Sequence, residues 1–581
     1  METLQCILKK SFSHAIDRAF KSLSDTDKQA ELVPCHQEGF GHYQCNSALG
    51  LSKILKKNPR AVAQEIEAAL DHQTRAMCEK IEIAGPGFIN ITLSAAFLSQ
   101  EIMHTLADPW LGAVRPKKKL KVVVDFSSPN VAKELHVGHI RSTIIGDCLC
   151  RLFEFLGCDV LRLNHIGDWG TQFGMLITYM KEHAPQVLKG AKKTDLGELM
   201  IWYKGARKLF DADPAFKARS QQEVVRLQSG EKEALHAWKI ICDISRIAFQ
   251  EIYDLLDVLL IERGESYYNP LLKGVVEELE KKGLVTISDN AKCIFLEGFT
   301  NREGQPMPLI VQKSDGGYNY DTTDLAAIRQ RLVDEKANRI IYVVDSGQGL
   351  HFQMVFKAAE QAGWYDPTQI PVDHVGFGLV LGEDGKKFKT RSGETEKLID
   401  LLTEAIDRAK KVVQERLPDA SQQEIDHLAR VIGIDAIKYS DLSCHRTKDY
   451  TFSYERMLRF EGNTAVFLLY AYVRINGIQR KTRADAHGPA ETIALQHPSE
   501  IALALHLRRF GETLEFMARD LLPNRLTDYL YELAEKFNAF YRDCRVEGTP
   551  EEGSRLLLCQ AAARVLKQGL EILGLQTVER M

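Results

Sequence analysis

The sequence contains no CxxC pair. Its twelve cysteines are scattered, and the nearest two, Cys148 and Cys150, are spaced CxC. No Cys/His quartet has structural-zinc spacing, so no structural zinc and no metal-ligating residue is expected, and the thiols should be free in a reducing cytosol. Long apolar runs are missing as well. No stretch reaches the roughly 20 residues that cross a bilayer, and the opening METLQCILKK is too short an apolar run for a secretion signal, so a cytoplasmic protein with no membrane partner is expected. Neither sign of charge dominates: 27% of residues are charged, yet the net charge is only -4. A balance of that kind excludes a blanket electrostatic grip on nucleic acid and leaves any such contact to local basic patches. The absence of a Walker A loop and of GxGxxG removes the commonest phosphate-binding motifs. No repeat and no low-complexity tract is visible.

What is there is length and texture. At 581 residues the chain exceeds a single core. Residues 1–112 read as helices followed by a strand pair, KIEIAGPGFINITLS, that turns at Gly85-Pro86-Gly87, a small α+β module. Residues 118–400 alternate strand-like runs (KVVVDF, DVLRLNHIG, RIIYVVD, DHVGFGLVLG) with helical patterns, which predicts a Rossmann-like doubly wound parallel sheet. A mostly helical insertion at about 172–262 interrupts it, read as a decoration on the nucleotide fold. Residues 401–455 form a helical connection, and 456–581 an all-α bundle.

One seam draws attention. SSPNVAKELHVGHIRSTIIGD (127–147) leaves an apolar strand and opens a helix. In doubly wound folds that is where nucleotides bind, because unpaired N–H groups and the helix dipole point there. Gly138 keeps a side chain out of the way of a base or ribose, and His136 and His139 offer hydrogen bonds to phosphate oxygens, more strongly if protonated. Two other readings stay open: an HxxH metal pair, which lacks the glutamate of HExxH and a third ligand, and two structural histidines.

PNVAKELHVGH resembles the HIGH signature of class I aminoacyl-tRNA synthetases. With NHIGDWGTQFG (164–174), GESYYNP (264–270), DGGYNYDTTDLA (315–326), FEGNTA (460–465) and TVERM (577–581) in order, essentially the whole chain resembles arginyl-tRNA synthetases of the bacterial type. The resemblance implies a ligase that uses ATP, accompanied by Mg2+, to convert L-arginine to arginyl-adenylate and then charges the terminal adenosine of tRNA(Arg), with activation dependent on tRNA. It further implies that His136, Gly138 and His139 hold ATP. The second class signature, KMSKS, is replaced by KKFKTRSG (386–393), which leaves Lys389, with Lys387 and Arg391 beside it, or Lys133 ahead of HVGH, to neutralise the outer phosphates.

A guanidinium is a permanently charged, planar fork of donors, best held by carboxylates. By the resemblance Glu265 and Asp324 are those carboxylates, and Asn130, Gln348 and His165 complete the amino-acid site; Tyr320, four residues before Asp324, shares its face if the stretch is helical. The same resemblance assigns tRNA contacts to Phe88 and Asn90 in the N-terminal module and to Phe467, Tyr470, Tyr541 and Met581 in the C-terminal bundle, with Arg474, Arg480 and Lys481 available to phosphates. A monomer is expected. Two rivals remain: an adenylating enzyme that needs no tRNA, and a tRNA-binding protein without catalysis.

Overall fold

A computed structural model describes residues 2–35, 39–386, 397–480 and 492–581, and the backbone of 481–483. The chain divides into two compact units, Met1–Arg115 with Phe460–Met581, and Pro116–Arg459.

The second unit is built on five strands: β1 (Lys121–Asp125), β2 (Asp159–Asn164), β3 (Ile261–Glu262), β4 (Arg339–Tyr342) and β5 (Val372–His374). All neighbours pair in parallel, in the order β5-β4-β1-β2-β3. Three successive valines, 122 to 124, suit a strand buried on both faces, and all three are at most 2% exposed. The main helices are α1 (Val137–Phe155), α2 (Lys232–Leu255), α3 (Glu265–Lys281), α4 (Tyr320–Arg329), α5 (Gly349–Gln361), α6 (Leu398–Arg416) and α7 (Gln422–Leu442). Leaving β1, the chain enters α1, which is buried along most of its length, and an Arg141–Asp441 ion pair at 3.1 Å ties α1 to α7. The core joins Val123 and Leu163 to the buried faces of α3, α4 and α5.

Two features depart from the expectations above. An antiparallel sheet of Thr286–Ser288, Ala291–Thr300 and Pro306–Gln312 sits between α3 and α4 in the chain. The insertion is helical from Thr171 to Leu255, but it is no mere decoration, because α2 reaches the mouth of the sheet and holds the loop described below.

In the first unit the expected hairpin is present, Cys78–Ala84 against Phe88–Leu93, within a four-stranded sheet completed by Leu32–Pro34 and Tyr43–Cys45. The C-terminal part is helical throughout its regular elements, from Ala465 to Ile572. Polar contacts bind it to the N-terminal module: Arg508 Nε donates to Glu101 Oε2 at 2.7 Å, and the Tyr43 hydroxyl donates to Glu512 Oε1 at 2.8 Å. Burying such charges demands partners, and these have them. None of the twelve cysteines forms a disulfide, and among the described residues no helix is long and apolar enough to cross a membrane.

Candidate active site

The strand order reverses between β1 and β4, which makes their carboxyl ends the switch point where open α/β sheets place ligands. A cavity of about 490 Å³ opens there, lined by Ser128, His136, His139, Val343, Gln348 and Phe377 among others. Its floor is a loop held in an unusual shape. Ser127, Ser128 and Ala132 have φ of 70°, 47° and 61°, the left-handed region that non-glycine residues avoid. Each of the three gives its backbone N–H to a side chain of a different element: Ser127 to Ser142 Oγ on α1, Ser128 to Asn164 Oδ1 on β2, and Ala132 to Ser245 Oγ on α2. Tyr253, also on α2, links Ser127 Oγ at 2.8 Å to Asn164 Nδ2 at 3.2 Å. Strain at a functional loop persists only where neighbours over-determine it, as they do here.

The histidines close the first turn of α1. Gly138 N–H donates to His136 Nδ1 at 3.0 Å, and His136 N–H donates to His139 Nδ1 at 3.1 Å, a reciprocal cap made of two imidazoles. A ring that accepts at Nδ1 is neutral and keeps Nε2–H to donate. Partial desolvation against the cavity wall, reinforced by the neighbouring Lys133, lowers the His136 pKa although the side chain keeps an open face, and burial with the adjacent His136 brings His139 down to about 4. The protonated form considered from the sequence is therefore disfavoured, because both Nδ1 lone pairs are already used. The glycine between them also has a nearer purpose than the one first read for it: a Cβ on Gly138 would lie 2.8 Å from His136 Cε1 and 2.9 Å from Nδ1.

Asn130 pairs with Gly167 in an isolated bridge, and a Cβ at Gly167 would fall 2.1 Å from Asn130 Oδ1, so the second motif, NHIGD, must supply a glycine there. His165 stacks on Tyr268 at 5.2 Å, and its Nδ1 lies 3.4 Å from Arg331 Nη2. Arg331 is fully buried and paired with Asp125 at 2.7 Å, so the end of β1 and His165 share one anchor.

Glu265 opens α3, its N–H bonded to Ile166 O, while Asp168 accepts from Ser266 N and Oγ at 2.8 and 2.6 Å. Burial, with the charges of Asp168 and Asp324 nearby, pushes the Glu265 carboxyl up to about 8. Tyr320 and Asp324 do share a face of α4: the Tyr320 ring meets His351 edge-on at 5.1 Å, and Asp324 Oδ2 lies 2.6 Å from His351 Nε2. His351 was not singled out from the sequence, although it follows Gln348 by one helical turn in DSGQGLH. Asp168 and Arg331 were also missed, because burial and pairing across the sheet leave no mark on a single sequence.

Lys133 is exposed at the same loop. Lys387, Lys389 and Arg391 lie outside the described residues, but the chain re-enters beside the histidines: Lys397 bridges to His136, and its Nζ is 2.7 Å from Glu134 Oε1.

In the first unit Phe88 is half-buried, while Asn90 is 5% exposed and its Oδ1 accepts from Gln44 Nε2 at 2.8 Å. Asn90 sits on an interior strand, so its amide faces Gln44, while Phe88 at the start of the same strand keeps part of its ring open. Tyr470 and Tyr541 are 37% and 40% exposed. The Arg474 guanidinium lies 4.9 Å from the Tyr470 ring and bonds Asn538, three residues from Tyr541, while Phe467 is half-buried against Tyr531. Met581 is half-buried, and Arg480 pairs with Glu579 nearby. The Lys481 side chain lies outside the described residues.

Comparison with known proteins shows the family. Residues 101–454 match the family model for the catalytic domain of class I tRNA synthetases (R), 468–581 the DALR anticodon binding domain, and 7–93 the arginyl tRNA synthetase N-terminal domain. The arginine–tRNA ligase of Protochlamydia amoebophila (strain UWE25) is 62% identical over 585 residues, covering 100% of both chains. That of Nostoc punctiforme (strain ATCC 29133 / PCC 73102) is 54% identical over 557 residues, covering 95% of each. Among solved structures, the arginyl-tRNA synthetase of Plasmodium falciparum superposes with a TM-score of 0.86 at 34% identity, with 100% of both chains covered. The Thermus thermophilus enzyme shares the fold, with a TM-score of 0.80 over 100% of both chains at 24% identity. With these matches running through all its regions, the chain belongs to the class I arginyl-tRNA synthetases.

Proposed function

We propose that the protein activates L-arginine with ATP and transfers it to the 3'-terminal adenosine of tRNA(Arg). An arginine carboxylate oxygen attacks the α-phosphorus of ATP, the bond to the bridging oxygen of the β-phosphate breaks, and pyrophosphate leaves. A ribose hydroxyl of the terminal adenosine then attacks the activated carbonyl and AMP departs. His136 and His139 donate from Nε2 as neutral imidazoles to phosphate oxygens whose charge grows during attack. Gly138 keeps the His136 ring seated. Lys133 and Lys389, with Lys387 and Arg391, are the candidates for the outer phosphates. Mg2+ would come with ATP and be held through phosphate oxygens, lending charge neutralisation; among the described residues no cluster of three His, Cys, Asp or Glu side chains gathers to hold it.

Glu265 and Asp324 take the guanidinium fork, Tyr320 packs the alkyl stem, and Asn130, Gln348 and His165 hold the amino-acid end. Phe88, Tyr470 and Tyr541 offer exposed or half-exposed rings to unstacked bases, with Asn90, Phe467 and Met581 as their supporting neighbours. One observation carries the reading: the cavity at the switch point has the HVGH histidines on its wall and also Gln348, one helical turn before the residue that grips Asp324.

ATP–pyrophosphate exchange with each of the twenty amino acids, with and without tRNA, tests it. Exchange should occur with arginine alone and fall to background when tRNA is omitted. Exchange with another amino acid would overturn the pocket, exchange indifferent to tRNA would overturn the coupling, and silence throughout would favour a protein that binds tRNA without catalysis.

A second prediction concerns pH. Below about pH 8 Glu265 keeps its proton in the empty pocket, and a guanidinium needs the carboxylate, so binding there must expel a proton. The KM for arginine should accordingly rise as pH falls from about 8 to about 6, by at least about tenfold, approaching the tenfold per unit of a one-proton linkage. Glu265→Gln should weaken arginine at high pH and flatten that slope. An unchanged slope in the variant would remove Glu265 from the site.

A further inference from the structure

We infer that His351 is a positioning residue of the amino-acid pocket, clamping the Asp324 carboxylate so that one oxygen is held by the ring and the other is left for the guanidinium. The inference rests on the reading of Asp324 given above. His351 Nε2 is 2.6 Å from Asp324 Oδ2, its Nδ1 is 3.4 Å from Asp321 Oδ1, and Asp324 Oδ1 makes no hydrogen bond among the described residues. Asp321 is itself fixed, since its Oδ2 accepts from Ile310 N at 3.1 Å and Asn319 Nδ2 at 3.0 Å. A chain of contacts therefore runs from the antiparallel sheet through Asp321 and the imidazole to Asp324.

The ring must be charged to do this. Asp321 and Asp324 are three residues apart on α4, neighbours on a helix surface whose like charges repel. A cation between them offsets that repulsion; without one, the pair would turn apart, and that change spoils a guanidinium site. Burial pulls the imidazole pKa down, but the bonds to Asp321 and Asp324 more than offset it and raise it to about 9. From the other elements packed on α5, Lys292 pairs with Glu280, Asp373 with Arg339, His374 bonds Val344 O, and Glu297 is exposed, so the two aspartates and the edge-on Tyr320 ring are what face His351. With Oδ2 engaged, Asp324 has a single oxygen to offer, and the fork must be completed by Glu265. That geometry suits a planar donor pair better than a point charge.

The test is the KM for arginine in tRNA-supported pyrophosphate exchange, from about pH 7 to about pH 10, in the wild type and in His351→Gln. At neutral pH the variant should raise this KM about tenfold or more, the weight of a lost charge-assisted hydrogen bond, while the KM for ATP and kcat stay within about threefold. The wild-type KM should also climb through about pH 9 as the ring loses its proton, beyond the rise seen in the variant. The substrate's own α-amino group titrates equally in both, so the difference isolates the imidazole. A variant KM within about twofold of wild type, an equal alkaline rise in both, or a loss confined to kcat would overturn the clamp. Should His351→Gln not fold, inhibition of the wild type by butylguanidine, whose guanidinium stays charged throughout this range, gives the same answer: an inhibition constant rising through about pH 9 supports the clamp, and one that stays level above about pH 8 overturns it. Absence of any arginine-dependent exchange in the wild type would instead bring down the functional reading itself.

Discussion

Asp324→Asn is expected to lower kcat/KM for arginine by about 10³-fold, because removing one partner of a buried charge pair costs roughly 2–5 kcal/mol and each 1.36 kcal/mol is a factor of ten. The amide is nearly the same size, so packing around α4 is kept. What changes is the charge, and an amide also presents N–H groups toward a ligand that has only donors. The loss should be specific: the KM for ATP should move little, since Asp324 is not among the residues that line the nucleotide cavity. Steady-state exchange kinetics with arginine and ATP varied separately decide the matter. A fall of less than about tenfold, or an equal loss toward both substrates, would remove Asp324 from the guanidinium site.

Gly138→Ala should separate stability from activity. The position is helical, near the start of α1, and alanine is favoured over glycine in helices by roughly 1 kcal/mol. The new methyl, however, would stand 2.8–2.9 Å from the His136 ring, closer than real Cβ contacts allow. His136 is exposed, so its ring can swing away, but in doing so it loses the Gly138 N–H and, with it, its fixed tautomer. We expect a melting temperature unchanged or slightly higher and kcat reduced by about 10²–10³-fold, the range seen when a preorganised donor at a reacting oxyanion is removed. Thermal melting and exchange measured on the same preparation test this. A variant that retains kcat would show that His136 does not act as a preorganised donor.

The fold was legible where the physics is local or strongly patterned. Val122, Val123 and Val124 announce a strand buried on both faces, and the turn at Gly85-Pro86-Gly87 fixes a hairpin, so both elements could be read directly. The sheet spanning 286–312 was not. Its middle strand buries Cys293, Ile294 and Leu296 rather than alternate residues, and its partner carries irregularities at Pro306/Pro308 and Ile310/Gln312 that break the period of two. The site divides in the same way. HVGH could be placed at a strand-to-helix loop because its neighbours are sequential, and the shared face of Tyr320 and Asp324 followed from helical spacing. The grip of His351 on Asp324 joins residues 27 apart, and that of Arg331 on His165 joins residues 166 apart, separations at which periodicity is silent. The burial of Asn90 was illegible for a related reason. The three-residue strand Tyr43–Cys45 that covers it is too short to signal itself.

The over-determined loop at the mouth of β1 has a consequence for the order in which the protein can be built. Ala132 waits for Ser245, 113 residues downstream, and Ser127 for Tyr253, 126 residues downstream. Ser142, which receives the Ser127 N–H, itself donates to Val343 O, 201 residues further on. At a translation rate of roughly 5–20 residues per second, the ribosome adds those first two anchors some 6–25 seconds after the loop itself has been made. Until then the segment proposed to bind ATP has only Ser142 and Asn164 to hold it in the left-handed conformations it finally adopts. The loop is thus completed well after it is made, and a nascent chain shorter than about 250 residues should have no ordered site there.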